Sequence, residues 1–323
     1  MKQIKFLILF ILIAGCNPNN YEFEYDIIIT DIATNLDGLN TVYDDFNSDL
    51  PYAYDRMDIY FSTNRKSGGN DFDIIAKELD FSYHSKDDIL NLSISNEAIV
   101  KEASDLLLDI VNTENNELGP FSFRDDEDFI FMYATDFNDT FKINLVEYTN
   151  WNNERESVIS DPMEISGIND FGNNLYPSLN MSKNEMFFCS DRNDAVFNIY
   201  SAIYNNELSK QTLVDGDIKS LQKETILSSP FDDKCPFIKD DIIVFTSNRE
   251  NGMGGYDLYF SYFENGSWTA PELFGDNVNS EYDDYRPIVF QMLGFNLMIF
   301  SSNRPGGQGG FDLYIVNIDG IIK

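Results

Sequence analysis

One unit is written into this chain several times, and it limits what the chain can fold into. Its clearest copy covers residues 296–315, NLMIFSSNRPGGQGGFDLYI. A run apolar enough to be buried on both faces is followed by Pro305 and four glycines, which force a turn, and then by β-type residues again. The pattern reads as strand, tight loop, strand. It recurs at 241–260 (DIIVFTSNRENGMGGYDLYF), at 58–75 (DIYFSTNRKSGGNDFDII) and, with its glycines lost, at 185–200 (EMFFCSDRNDAVFNIY). A fifth copy, 129–144 (FIFMYATDFNDTFKIN), carries Phe137 where the others carry Arg65, Arg192, Arg249 and Arg304. Pro51, Pro120, Pro177, Pro236 and Pro287 each precede a copy, at intervals of 69, 57, 59 and 51 residues. A near-constant period is the signature of a repeat architecture.

These SSNR-GG-GG-YDLY units resemble the WD40-like (PD40) repeats related to the TolB propeller, as found in envelope proteins of Bacteroidetes. The resemblance spans about residues 25–318 and implies an all-β fold, a five-bladed β-propeller. Little chemistry comes with it; partners among envelope or secretion-associated proteins do.

The start of the chain bears on how the ring closes. Residues 25–32, YDIIITDI, read as a strand. They are followed by Asn40-Thr41-Val42-Tyr43-Asp44-Asp45, which matches Asn279-Ser280-Glu281-Tyr282-Asp283-Asp284 before the last repeat. The last repeat ends before making a fourth strand. The N-terminal strand is therefore expected beside the strand starting at Phe311, closing the last blade and hiding its edge. The excess length between Pro51 and Pro120, around residues 81–111, reads as an insertion with a short helix near 97–108 and not as a sixth blade.

Ahead of this lies MKQIKFLILFILIAGC. Its apolar run is too short to span a bilayer and reads as an export signal over residues 1–15. It stops at Ile13-Ala14-Gly15-Cys16, which resembles a bacterial lipobox, so lipid attachment at Cys16 is expected. A tether over 16–24 and one propeller domain over 25–323 complete the organisation. Asn17, which is not Asp, favours the outer membrane. Membrane contact is expected through the lipid anchor only.

The net charge of −33 argues against nucleic acid. Residues 1–15 carry two lysines and no acid, so the remainder stands at −35. Cys189 and Cys235 read as buried free thiols. The single histidine, His84, leaves no room for a histidine-rich metal site. No phosphate loop, dinucleotide fingerprint or Cys-x-x-Cys appears, so no cofactor is expected. The acidic turn 125–128 lacks the ligand spacing of a calcium loop. Asp73, Asp257 and Asp312 each follow an arginine by 8 residues. Such regular recurrence, in the acids and in the four arginines alike, points to stabilisation of the blades, whereas a catalytic pair needs different acids in different blades. The functional expectation is a non-enzymatic, protein-binding module of the envelope. Its alternative is a glycan-active or glycan-binding lipoprotein, because a carboxylate pair in a propeller funnel suffices to hydrolyse a glycosidic bond.

Overall fold

The computed structural model describes residues 23–51, 56–96, 98–99, 101–149 and 157–322. The export signal and Cys16 lie outside the described residues. Among the described residues no helix is long and apolar enough to cross a membrane.

Five antiparallel sheets follow one another along the chain. In each, the first strand lies innermost and later strands step outward. The innermost strands are Asp45–Asp49, Glu117–Asp125, Asn174–Asn180, Asp233–Lys239 and Asp284–Met292. The second strands are the most buried. Ile242–Ser247 has no exposed residue, as its continuous apolar run requires of a strand covered on both faces. Apolar clusters fill the junctions between blades. Met57, Ile59 and Leu79 of blade one meet Ile288, Leu297 and Ile315 of blade five. Blades two and three pack through Met132, Leu145, Met186 and Phe188.

Closure comes from the N-terminal side, through a different strand from the one expected. Thr34–Asn35 pairs with Asp312–Asn317 and completes blade five. The stretch 25–32 goes elsewhere. Phe23–Ile29 pairs with Ile89–Ser95 as a fifth, outer strand of blade one. The insertion explains why. The strands Asp73–His84 and Ile89–Ser95 form a long hairpin with an open outer edge, and Ile27 and Ile29 bury against it. The helix Lys101–Val111 follows, burying Ala103, Leu107 and Val111 at helical spacing against the junction of blades one and two.

The repeat proline needs one correction. Each innermost strand carries a bulge with a residue of positive φ: Asn47 (58°), Gly119 (61°), Tyr176 (58°), Cys235 (54°) and Arg286 (50°). Pro120, Pro177, Pro236 and Pro287 follow these residues, at a bulge where a missing N–H is tolerated. In blade one the matching position is Ser48, and Pro51 lies three residues beyond it, past the end of the strand.

Candidate functional site: the mouth and axis of the channel

The recurrent polar residues form a latch at one face of the ring. Arg304 donates from Nη2 to the Val278 carbonyl and to Asp284 Oδ1, each at 2.5 Å, and from Nε to Ser302 Oγ at 2.9 Å. Its guanidinium lies over the rings of Phe300 and Tyr314. Arg249 does the same with Leu227, Asp233 and Ser247, and Arg65 with Leu39, Asp45 and Thr63. Arg192 meets a neutral partner, Asn174 Oδ1, at 2.7 Å, and burial lowers its basicity. In blade two Phe137 leaves Glu117 to Thr113 and Thr135 alone, and burial pushes its carboxyl up to about 7.

The acids that follow the arginines close the glycine loops. Asp257 accepts the N–H groups of Met253 and Gly254, and Asp312 those of Gln308 and Gly309. Asp73 sits 3.5 Å from Lys66. A Cβ on Gly309 would overlap the Tyr43 carbonyl, and one on Gly254 the Tyr282 carbonyl, so these loops lie directly on the next blade.

Sequence reading passed over an aromatic in every blade: Phe72, Phe141, Phe197, Tyr256 and Phe311. In four blades it stands directly before the third strand, and in blade two it is the second residue of that strand. Each backbone N–H donates to an Asn or Asp of the following blade: Asn116, Asn173, Asp232, Asp283 and Asp44. All five rings are half-buried around the mouth of the channel. Between them stand Phe46, Leu118, Leu175, Lys234 and Tyr285, one from each innermost strand. Phe46 packs 4.8 Å from Phe72 and stacks 6.0 Å from Phe311, and Tyr285 packs 5.3 Å from Tyr256. The signal was available: an aromatic sits immediately before Asp73, Asp257 and Asp312.

One side of this apolar rim is polar. Lys234 Nζ lies 4.5 Å from the centre of the Phe197 ring and 3.0 Å from Asp232 Oδ2. The Tyr256 hydroxyl donates to the same carboxylate oxygen at 2.7 Å. Burial alone would raise the Asp232 carboxyl, but Tyr256, the Phe197 N–H and Lys234 outweigh it and hold it below the usual range. Asp232 is thus a firmly ionised carboxylate among aromatic faces.

Deeper on the axis the channel is filled. Tyr176, Cys189 and Cys235 form a buried cluster, with both thiols free and pushed upward by burial. Arg286 is wholly buried and lies over the Tyr176 ring at 5.4 Å. Asp49, bound to Ser122 Oγ at 2.6 Å, is pushed up to about 7 by burial, in spite of that bond and the charge of Arg286. The acidic turn 125–128 is a hairpin whose Asp125 accepts the Lys210 backbone N–H. His84 ends an outer strand, away from the mouth.

No family model and no curated protein matches the chain. Solved structures do. An endo-arabinase from Bacteroides thetaiotaomicron is 14% identical, with a TM-score of 0.54 over 90% of this chain and 97% of that one. A GH43_1 enzyme from Xanthomonas citri, solved in complex with xylose, is 11% identical, with a TM-score of 0.55 over 89% and 90%. An exo-1,5-α-L-arabinanase from a bovine ruminal metagenomic library is 11% identical, with a TM-score of 0.51 over 86% and 94%. At such identities the likeness shows the fold: a five-bladed β-propeller. It also corrects the functional expectation. These neighbours are glycan-acting enzymes by name, not WD40-like repeat proteins, which overturns the reading as a non-enzymatic protein-binding module.

Proposed function

We propose that the protein is a glycan-active propeller that takes a saccharide on the aromatic mouth of its channel. The observation that carries this reading is the ring of five half-buried aromatics with the Asp232–Lys234–Tyr256 group set into it. Sugar rings present apolar C–H faces to aromatic rings and hydroxyls to fixed polar groups, and this rim offers both. Glycoside hydrolysis is the reaction class that the structural neighbours support, and it needs two carboxyl groups, an ionised one beside the scissile bond and a protonated one that gives its proton to the leaving oxygen. Asp232 suits the ionised member of such a pair.

The same proposal includes anchoring to the outer membrane through Cys16, kinship with WD40-like envelope repeats, and a surface whose charge admits envelope proteins and repels nucleic acid. The test is a glycan array with the protein lacking residues 1–15, paired with reducing-sugar release from a polysaccharide panel that includes arabinan and xylan. Binding that falls at least ~10-fold in Tyr256→Ala, a loss of about 1.4 kcal/mol, together with turnover abolished in Asp232→Asn, is the expected result. Neither binding nor turnover on the whole panel would sink the reading. Cys16→Ser should move the protein from the membrane fraction to the soluble fraction.

A further inference from the structure

Blades two and three are the two whose repeats have lost their glycines, and each carries a cleft beside the mouth. In blades four and five the glycine loop lies on the next blade, at the Tyr282 and Tyr43 carbonyls. Blade two replaces that loop with the two-residue turn Asn138-Asp139. The matching part of blade three, Asp170, Phe171 and Gly172, stands exposed. A cleft of about 750 Å³ opens there, lined by Phe137, Asn138, Lys142, Glu164 and Asp170. Phe171 lines a second cleft, of about 450 Å³, together with Arg192, Asp194 and Lys223.

The two clefts share their parts. Each has an exposed phenylalanine, Phe137 at 62% and Phe171 at 70%, and among the described residues no other phenylalanine is exposed. Each also holds a lysine paired with a carboxylate. Lys142 Nζ donates to both oxygens of Glu164 at 3.1 Å, and Lys223 Nζ to Asp194 Oδ2 at 3.0 Å. Lys142 stands directly after the mouth aromatic Phe141, where blades four and five place the acids Asp257 and Asp312 that close their glycine loops. With no loop to close, that position reaches outward to Glu164 on the outer strand Met163–Glu164. Both clefts adjoin the mouth. Thr140, which lines the first, precedes Phe141, and the loop 191–197 beside the second ends at Phe197. Half-solvated ion pairs add little to stability, and an exposed ring adds none, so the fold alone gives no reason for either.

We propose, on the reading of the mouth as a saccharide site, that these clefts are outer subsites that carry the continuation of an extended, uncharged oligosaccharide away from the mouth over blades two and three. Phe137 and Phe171 are platforms for the apolar C–H faces of successive sugar rings. The ammonium and carboxylate beside each platform donate to one hydroxyl and accept from its neighbour. The ligand is uncharged because each lysine is already matched by an acid and the protein carries a net charge of −33, which repels a chain of uronic acids. The mouth then fixes one end of the chain, and the clefts select for its length.

Titration calorimetry of the full chain in detergent tests this, with disaccharides and hexasaccharides cut from arabinan and xylan and with an oligogalacturonate. A hexasaccharide should bind at least ~10-fold more tightly than its own disaccharide. Phe137→Ala and Phe171→Ala should each weaken the hexasaccharide by about 5-fold and leave the disaccharide unchanged. Tyr256→Ala should weaken both. The two phenylalanines are exposed, and an unchanged melting temperature checks that their variants are folded. Equal affinity for hexasaccharide and disaccharide in the wild type, or hexasaccharide binding unaltered in both phenylalanine variants, would overturn the outer subsites while a loss in Tyr256→Ala left the mouth standing. An oligogalacturonate bound more tightly than either neutral hexasaccharide would overturn the assignment to uncharged chains. No binding of any of these sugars would remove the mouth and its outer subsites together.

Discussion

Blades five and two solve the same problem with different means. In both, the first strand starts with an acid that must be buried where it meets the second strand: Asp284 opposite Ser302, and Glu117 opposite Thr135. Blade five supplies Arg304, and its glycine loop runs on to lie against the Tyr43 carbonyl of blade one. Blade two has no arginine at the latch position and no long loop. Its second and third strands join through Asn138 and Asp139, both at positive φ, in a two-residue turn. Blade five therefore ties its own first two strands together with a charged latch and meets its neighbour through a close backbone contact. Blade two relies on neutral hydroxyls and a carboxyl group held near the point of losing its proton. The difference shows that the latch, rather than the hydrophobic wedge, is what the repeats vary.

The comparison breaks first at the loop. Gly309→Val puts a branched side chain into the Tyr43 carbonyl at the seam where the ring closes. A loss of about 3 kcal/mol or more in chemical denaturation is expected. Asp139→Gly, in the short turn of blade two, should change stability by less than about 0.5 kcal/mol, since glycine adopts that φ freely.

Removing the arginine comes next. Arg304→Ala strands Asp284, whose side chain has no exposure, and should cost about 3 kcal/mol. Arg304→Lys should recover little, because a point charge cannot span Asp284, Ser302 and the Val278 carbonyl at once. Full recovery by lysine in a urea titration would show that charge alone matters.

Blade two should then reveal itself through pH. The Glu117 carboxyl titrates near 7 in the fold and near 4.5 when exposed, so its neutral form favours the folded state. That contribution is complete below about pH 4.5 and is lost as pH rises to 7, at up to about 1.4 kcal/mol per pH unit. Asp49 and Asp58, raised to about 7 and about 6, act in the same direction. Glu117→Gln should remove one of these contributions, leaving a curve of stability against pH that is shallower between 5 and 7 than in wild type. Parallel curves would refute the assignment.

Much of this was visible in the chain. The repeats gave the number of blades, and the arginines stood out because four copies place one just past the second strand, three of them with an Asp eight residues on. The lead-in, Asn, then Thr or Ser, one variable residue, then Tyr-Asp-Asp, is plain in two copies, while the structure shows a version in all five. Asn112, Asn169 and Ser228 begin the other three, and each side chain bonds to the backbone of the third strand: Ile74, Ile143 and Ile199. The drift from Asn to Ser and from Asp to Glu or Asn hid them. Pro51 precedes its copy as the other prolines do, but it stands outside the bulge, which blade one makes with Asn47 and Ser48. Residues 25–32 fit any open sheet edge, and local pattern does not say which edge is free. The mouth was missed for a different reason. Phe72, Tyr256 and Phe311 read as the first apolar residues of strands, and only the ring geometry turns them toward a common centre. Arg286 was hidden as the residue before Pro287.

The smallest expected effect is the most instructive. Phe137 occupies the arginine position of blade two, so Phe137→Arg looks like a repair that would give Glu117 its missing partner. The backbone argues otherwise. In blade five the second strand ends at Ser302, and the chain leaves the ladder before Arg304, whose own N–H turns back to Ser302 Oγ. In blade two the ladder continues through Phe137, which pairs with Thr140 and leaves its ring 62% exposed. An arginine there would stay in the strand and extend into water, where a pair with a buried carboxylate gains nothing to offset its lost hydration. Phe137→Arg should therefore shift the urea midpoint by the equivalent of less than about 0.5 kcal/mol and leave the pH dependence of Glu117 in place. A gain above about 1 kcal/mol, with that pH dependence abolished, would mean that the side chain alone distinguishes the two blades. The expected near-silence means that the latch belongs to the loop's backbone, and that the arginine works only where the chain has already left the sheet.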